Sequence, residues 1–264
     1  MKQLAKYWSV FQITLFNSLA YPMDLIGRSL LMIPFMWIFN QLWKVTFAAA
    51  GTDSINGMTL INTMWYLMLA ETVELSRPAL ARNISENVKD GSIAYILNKP
   101  YSFLWYNFAN SMGETVFRAL TSALVGSLMV AWLVGNPPAL NGWLFAAIAI
   151  IGAWVLNFCI SCLIGLAAFV VEDVAPFMWI YQKLVFILGG FLIPLQFYPE
   201  WLQTIARALP FSAMIYGPAQ LFVDPSWSLF GETLLIQSAW ILAFTALLTF
   251  TYRRGVEHLV VNGG

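Results

Sequence analysis

No charged residue occurs from Ala119 to Val171, and this long apolar run limits the possible folds more than any other part of the sequence. A membrane crossing takes about 20 residues, so the run is too long for a single crossing. It is interrupted once, over Gly135–Gly142, by glycine, asparagine and proline residues that are typical of turns. We therefore predict two transmembrane helices here, the first ending near Val134 and the second covering about Trp143–Val170.

The composition of the chain places the rest of it in a membrane as well. Hydrophobic residues make up 60% of the 264 positions and charged residues only 10%, whereas a soluble protein carries about 25% charged residues. The thirteen basic and thirteen acidic residues give a net charge of zero. A nucleic-acid partner is therefore not expected, because it would need a basic face. We expect one membrane domain, residues 1–264, with the lipid bilayer as its solvent.

Four further apolar segments raise the number of predicted transmembrane helices to six, and the predicted fold class is an all-α integral membrane protein. These segments cover about Leu25–Trp43, Met58–Leu75, Val174–Ile193 and Thr233–Tyr252. We expect Pro34 to kink the first span. Three charged residues at the end of the second span are expected to lie near water: Glu71, Glu74 and Arg77. Glu172 and Asp173 mark the polar turn before the fifth span.

The basic residues predict the orientation, because lysine and arginine concentrate in cytoplasmic loops. With the N- and C-termini in the cytoplasm, nine basic residues lie inside: Lys2, Lys6, Arg28, Arg77, Arg82, Lys89, Lys99, Arg253 and Arg254. Lys44 and Arg207 then fall in outside loops. We predict this orientation in the cell (inner, cytoplasmic) membrane.

Residues 1–20 are predicted to form an amphipathic helix that lies in the membrane interface. At helical spacing one stripe contains Leu4, Trp8, Phe11, Leu15 and Leu19, and the other side contains Gln3, Lys6, Thr14, Asn17 and Ser18. This run is too polar for the core of a secretory signal peptide. A frayed terminus is the alternative interpretation.

The most polar stretch of the chain is the loop of residues 77–99, between the second and third spans. Its pattern predicts a short cytoplasmic helix with an apolar stripe of Leu80, Ile84 and Val88. Pro78 suits the opening turn of that helix, and Gly91 suits the left-handed conformation that ends it. Such a helix either lies passively on the lipid headgroups or docks a soluble partner.

Residues 194–224, after the fifth span, are too apolar for a solvated loop and contain too many prolines for one crossing. Backbone that is not continuous helix is tolerated at membrane depth only where it is buried in protein or faces a cavity. We therefore predict short, half-inserted helices in this segment.

The whole chain resembles a permease of the type-2 ABC exporter superfamily. Those permeases have an interfacial N-terminal helix, six spans, a coupling helix between spans two and three, and re-entrant helices between spans five and six. Three sequence stretches carry the likeness: Gly91-Ser92-Ile93, Leu97-Asn98-Lys99-Pro100 and the C-terminal Tyr252-Arg253-Arg254-Gly255. The coupling region would then be Arg82–Asp90, and the re-entrant region would be Pro194–Leu221.

The resemblance implies a mechanism and a set of partners. ATP and magnesium would bind to separate cytoplasmic ATPase subunits, whose closure would be passed to the spans through the coupling helix. The residues implied in that coupling are Arg82, Ile84, Glu86, Lys89, Asp90 and Gly91. A second permease chain, the same or a related one, is expected, because six spans are half of the usual twelve.

Two pairs of polar residues fall at membrane depth and are candidates for the transport pathway. Glu114 and Arg118 are four residues apart at the cytoplasmic threshold of the third span. They form a structural ion pair at the interface, or they line a substrate entrance or lock two helices together. Lys183, beside Gln182, lies midway along the fifth span, where a lysine either snorkels or faces the protein interior. We hypothesise that it faces the interior.

Motifs for chemistry within this chain are absent from the sequence. Neither a G-x-x-x-x-G-K-[S/T] phosphate loop nor an H-E-x-x-H zinc motif occurs. The single histidine, His258, is far along the chain from Cys159 and Cys162, which we interpret as packing residues. We therefore expect no enzyme activity, no metal site and no cofactor bound by this chain.

The predicted function is the transmembrane subunit of an ATP-driven exporter. An ATP-independent secondary transporter or channel is the main alternative, and it would be indicated by internal repeats with broken helices at the membrane midplane. No convincing repeat occurs in the sequence. A scaffold subunit that does not itself transport is the third hypothesis.

Overall fold

The structure is a computed structural model that describes residues 2–20, 27, 29–137, 142–171 and 173–262. It is nearly all-α, as predicted. In chain order the helices are α1 (Lys2–Ala20), α2 (Met32–Ala50), α3 (Leu60–Leu75), α4 (Leu80–Lys89), α5 (Ser92–Leu97), α6 (Phe103–Val134), α7 (Gly142–Leu166), α8 (Ala175–Leu188), α9 (Glu200–Ala208), α10 (Pro210–Met214), α11 (Tyr216–Val223) and α12 (Trp227–Asn262). Two short strands, β1 (Ser54–Ile55) and β2 (Met58–Thr59), and two 3-10 turns, Ala167–Phe169 and Leu195–Phe197, lie between them.

Within the described residues, three helical stretches are long and apolar enough to cross a membrane: Phe103–Val134, Gly142–Phe169 and Trp227–Glu257. The 32 residues of α6 rise about 48 Å, which exceeds a hydrocarbon core of about 30 Å. The chain is therefore a multi-pass membrane protein. The remaining spans of the predicted six stay a prediction.

The first predicted span corresponds to the helical residues 27, 29 and 30 and to α2, which extends beyond the predicted end at Trp43. Leu25 and Arg28 lie outside the described residues. The helical pattern is interrupted at Leu31, and α2 begins at Met32, so Pro34 lies in its first turn. A proline is tolerated there because the first turn of a helix has no backbone acceptor for its N–H. Lys44 lies inside the helix, which continues to Ala50.

Strands β1 and β2 form a hairpin that marks one end of the bundle. The two loop residues, Asn56 and Gly57, both have positive φ angles of 50° and 80°, as a tight hairpin turn requires. The indole N–H of Trp65 donates to the carbonyl of Gly135 at 3.1 Å, so the end of α6 lies beside the start of α3. We call this side of the molecule the hairpin end and the opposite side the α4 end.

Helix α3 is the centre of the bundle, because every residue from Thr63 to Val73 is buried. It packs against α2, α6 and α11. Glu71 is only 7% exposed, so the expectation that it lies near water is wrong. The side chains of Glu74 and Arg77 are each 14% exposed and pair with each other at 3.1 Å. Glu71 is enclosed because α3 is surrounded by other helices and not by lipid headgroups.

The fifth predicted span is shorter than the sequence suggested. We expected a helix over Val174–Ile193, but α8 has 14 residues and ends at Leu188. Its rise of about 21 Å falls short of the hydrocarbon core. The helix stops because Gly189 and Gly190 follow, and Gly190 turns the chain with a φ of +70°.

The proline-rich segment forms the 3-10 turn at Leu195–Phe197 and helices α9 to α11, which enter the bundle and return to the hairpin end. The carbonyl of Gln196 accepts from Asn56 at that end. The segment then runs inward until the carbonyl of Ala213 accepts from Gln237 at 2.9 Å. Phe222, near the end of α11, packs against Trp65 and is again at the hairpin end. The broken helices of α10 and α11 are almost entirely buried in protein.

Helix α1 is amphipathic but packs along α6 through one of its polar residues. Thr14, which we assigned to the polar side, donates from its hydroxyl to Asn110 at 2.9 Å. Trp8 is 59% exposed and Phe11 is half-buried. The side chains of Leu4 and Leu19 lie outside the described part of the chain. The polar side of α1 therefore contributes to a protein contact.

Candidate functional site

Helix α4 has one buried and one exposed face. Leu80, Ala81, Ile84 and Ser85 are buried, and Arg82, Asn83, Glu86 and Lys89 are exposed. On the exposed face the Arg82 guanidinium and the Glu86 carboxylate pair at 2.8 Å, as their spacing of one turn predicts. Of the six predicted coupling residues, the structure thus places Arg82, Glu86, Lys89, Asp90 and Gly91 at the surface and Ile84 in the interior.

The buried face of α4 is seated directly on α7. A Cβ atom added at Gly165 would lie 3.0 Å from two side-chain atoms of Ile84 and 3.2 Å from the Cα atom of Ala81. Only a residue without a side chain allows this approach. Ile84 is 1% exposed and packs with Leu166 and Cys162. Movement of α4 must therefore displace either α7 or the contact at Gly165.

The end of α4 has the predicted left-handed glycine, with a φ of +78° at Gly91. Asp90 then accepts a hydrogen bond from the Ser92 N–H at 2.9 Å. Hydrogen bonds from the Ser92 hydroxyl and N–H lower the pKa of Asp90. The carboxylate therefore stays ionised and orders the start of α5, whose Tyr95 is 71% exposed beside the α4 surface.

A second connection joins α4 to α8. The ammonium group of Lys89 lies 3.4 Å from the Asp173 carboxylate, which also accepts from the Ala175 N–H at 3.1 Å. The hydrogen bond from Ala175 lowers the pKa of Asp173, and the charge of Lys89 acts in the same direction. Asp173 thus binds the first turn of α8 and the last turn of α4 together. Glu172 lies outside the described residues.

A polar cavity of about 390 Å³ opens beside these connections, between α4, α7, α8 and the end of α3. The guanidinium of Arg77 lies 5.0 Å from the ring centre of Tyr181, whose hydroxyl donates to Asn157 at 2.8 Å. The Nε and Nη2 groups of Arg77 are buried without a hydrogen-bond partner among the described residues. Gln182, a predicted site residue, also lines the cavity. The Glu74 carboxylate, which pairs with Arg77, also lines the cavity. The chemistry of the cavity therefore suits a polar group, for which Arg77 has free donors.

Glu114 and Arg118 pair at 3.0 Å, which their spacing predicted. Arg118 also donates to the backbone carbonyl of Arg77 at 2.8 Å. This bond ties α6 to the junction of α3 and α4. The geometry is that of a contact between helices, and the part the pair plays in transport stays a prediction.

Lys183 lies on the side of α8 that is turned away from the packed interior. The buried side of this helix contains Tyr181 and Val185, while Lys183 is half-buried between rings of its own helix. Its ammonium is 5.5 Å from the ring centre of Trp179 and 5.4 Å from that of Phe186. Within this chain Lys183 therefore does not line the cavity.

Sequence reasoning missed most of the cavity. Glu74 and Arg77 were expected at a water-exposed helix end, and Asn157 and Tyr181 were not singled out. One signal was available for Asn157, since an amide within the charge-free run needs a partner when it is buried in a membrane. The role of Tyr181 depends on how α8 packs on α7, which the sequence does not show.

Comparison with known proteins agrees with this architecture. The family described as "ABC-2 family transporter protein" matches residues 31–263. The match covers both connections of α4 and the whole polar cavity. No curated protein matches the chain.

Proposed function

The chain belongs to the ABC-2 transporter family, and we propose that it is the membrane-spanning subunit of an ATP-driven exporter. Membership of this family implies an ABC ATPase as a partner. Under this proposal separate ATPase subunits bind ATP and magnesium, and this chain supplies the pathway and carries out no chemistry of its own.

The observation that carries the proposal is the two-faced helix α4. Its exposed polar face, from Arg82 to Lys89, is available to a soluble partner. Its buried face touches α7 at Gly165, and its last turn is bound to α8 through Asp173. A displacement of α4 by a bound partner would therefore be transmitted to both α7 and α8. A helix that merely rested on headgroups would not need such close contacts.

The proposed topology has six spans with both termini in the cytoplasm of the inner membrane. Helices α2, α3, α6, α7 and α12 supply five of them. Helix α8, continued by residues 189–197, supplies the other crossing. Helix α9 and the buried helices α10 and α11 then form a re-entrant segment at the outer surface, which agrees with their return to the hairpin end.

A second permease chain, identical or related, is proposed to pack against the outward side of α8. Phe177, Ile180 and Ile187 are exposed there. Lys183 lies on the same side, and a lysine at membrane depth usually faces a partner or a cavity. The polar cavity beside Arg77 is the proposed entrance for the substrate, which the chain's chemistry does not identify.

Crosslinking from α4 tests the proposal. Asn83→Cys, on the exposed face, should crosslink to a co-expressed ABC ATPase, and Glu86→Arg should lower ATP-driven transport. The matched control is Asp53→Cys, an exposed position at the hairpin end, which should give no crosslink. If no ATPase co-purifies and Glu86→Arg leaves transport intact, the chain is an ATP-independent transporter or channel.

A further inference from the structure

Two apolar grooves lie on either side of the first turns of α6, near the α4 end. The larger, about 730 Å³, lies between α1 and α6 and is lined by Tyr7, Trp8, Phe11, Trp105, Phe108 and Met112. The smaller, about 220 Å³, lies between α6, α7 and α12. Trp105 and Phe108 belong to the walls of both grooves. Neither groove contains a residue of the α4 surface or of the polar cavity.

Trp105 forms the ridge between the two grooves. Its ring is 59% exposed and stands nearly perpendicular to that of Phe108, with centres 5.9 Å apart. Phe108 in turn packs edge-on against Phe158 at 5.0 Å. Phe108 and Phe158 therefore support the ring of Trp105, which separates the two grooves. A molecule with two apolar chains could place one chain on each side of Trp105.

The groove walls have few polar groups, and those in the smaller groove are already paired. The Thr249 hydroxyl donates to the Thr245 carbonyl at 2.8 Å, and the Cys159 sulfur lies 3.8 Å from the Thr245 hydroxyl. These groups therefore do not need a polar ligand to satisfy their hydrogen bonds. The occupant must be apolar along the length of both grooves.

The end of the grooves nearest α4 is polar and basic. The Tyr7 hydroxyl accepts a hydrogen bond from the Ser102 N–H at 3.0 Å, so its own proton can be donated to a ligand. Stacking of Phe103 on Tyr252, with centres 5.6 Å apart, brings the last turns of α12 to the same place. Basic residues adjoin these positions in the sequence: Lys6 precedes Tyr7, Lys99 is three residues before Ser102, and Arg253 and Arg254 follow Tyr252. The Lys99 ammonium lies 4.6 Å from the Tyr95 ring centre, and Glu257 is the acidic residue of that part of α12.

We infer that the paired grooves bind one anionic diacyl phospholipid, with its two acyl chains on opposite sides of Trp105 and its phosphate near Tyr7 and Lys99. The apolar walls match the chains, and the excess of positive charge matches the headgroup. The bilayer in which this chain resides supplies such lipids at high concentration. The site is separate from ATPase docking and does not rest on the exporter proposal.

Photocrosslinking of the purified wild-type protein tests whether both acyl chains of the lipid are bound. The probe is a phosphatidylglycerol with a diazirine at the end of each acyl chain. We expect crosslinks at Met112 in the larger groove and at Leu248 in the smaller one. Equal labelling of Leu120 and Leu124, on the lipid-facing side of α6, would show ordinary bulk lipid and overturn the inference.

Native mass spectrometry tests whether binding requires an anionic headgroup and two acyl chains. Phosphatidylglycerol should be retained under conditions that remove phosphatidylcholine and single-chain lysophosphatidylglycerol. Lys99→Gln should weaken phosphatidylglycerol binding about fivefold and leave phosphatidylcholine unchanged. Met112→Trp should block the larger groove, whereas Leu124→Trp, the matched control on the same helix, should not. Equal retention of the neutral or the single-chain lipid would refute the inference.

Discussion

The contact between Ile84 and Gly165 gives the sharpest test of how α4 is held on the membrane helices. Two single changes and their combination are needed: Gly165→Ala, Ile84→Ala and the double variant. The new Cβ at position 165 would lie 3.0 Å from the Cβ and Cδ1 atoms of Ile84. Carbon atoms in contact normally keep about 3.5–4.0 Å apart. Helix α4 would therefore have to move outward by a few tenths of an ångström.

The expected magnitudes follow from this geometry. Overpacking of this kind costs about 1–3 kcal/mol, and the better helix propensity of alanine offsets up to about 1 kcal/mol of it. Ile84 is 1% exposed, so its truncation should cost about 2–5 kcal/mol. Ile84→Ala also removes the Cδ1 atom that the new methyl group would strike, but it keeps the Cβ atom, so it relieves only part of the overpacking. The double variant should then be more stable than the sum of the single changes by about 0.5–1 kcal/mol, the lower part of the range for residues in contact.

Limited trypsin digestion measures the local opening of α4, because Arg82 and Lys89 are exposed cleavage sites on this helix. Where opening is fast relative to cleavage, the rate follows the open population, and about 1.4 kcal/mol corresponds to a tenfold change. Cleavage at Lys44, in α2, reports unfolding of the whole bundle and should stay much slower than cleavage in α4 in every variant. Leu124→Ala, on the lipid-facing side of α6, is the control variant and should leave both rates unchanged.

Two outcomes would refute this account of the α4 contact. Strict additivity of the two substitutions would mean that residues 84 and 165 do not touch. Cleavage in α4 that is as slow as cleavage at Lys44 would mean that α4 has no opening of its own and unfolds only with the bundle. In either case α4 could not be a separately seated element that receives force from a partner.

Two further predictions concern the re-entrant segment and α8. Gln237→Leu removes the side-chain donor to the carbonyls of Ala149 and Ala213, at 2.7 Å and 2.9 Å, and should destabilise residues 210–223 by about 1–3 kcal/mol. Hydrogen exchange should rise in that segment and not in α1, and unchanged exchange would contradict the assignment. Lys183→Leu should leave the unfolding temperature of the single chain nearly unchanged but alter assembly with a second permease chain or transport. Normal assembly together with normal transport would leave Lys183 without either role.

Local sequence signals were sufficient where a short stretch determines its own structure. The stop of α4 at Gly91 and the boundary between α6 and α7 follow from glycine and proline chemistry alone. The hairpin at Asn56-Gly57 has the same kind of signal, and sequence analysis overlooked it. The early end of α8 was also marked by Gly189 and Gly190, but the apolar residues that follow them suggested a continued helix. Hydropathy cannot separate helix from buried irregular backbone when both are apolar.

The direction in which each helix faces was much harder to predict, and the reason is physical. In water a buried face differs from an exposed face in polarity, so periodicity shows it. In lipid both faces are apolar, and the contrast disappears. Lys183 on the outward side of α8 and Thr14 in the contact with α6 both show that a polar residue alone does not indicate the direction. Glu71 was misplaced for the same reason, because its position in the centre of the bundle depends on which helices surround α3.

Glycine residues indicate which face of a membrane helix is packed, where the polarity of the side chains does not. A Cβ atom at Gly113 would lie 2.8 Å from the Phe11 carbonyl oxygen, and one at Gly126 would lie 2.7 Å from Met32. A Cβ atom at Gly142 would collide with the carbonyl oxygen of Phe222 in α11. Together with Gly165 under α4, these glycines mark where α1, α2, α11 and α4 approach the two long helices α6 and α7. Glycine lets backbones approach closely where no hydrophobic force draws helices together, so glycines within charge-free spans predict the packed faces that hydropathy cannot.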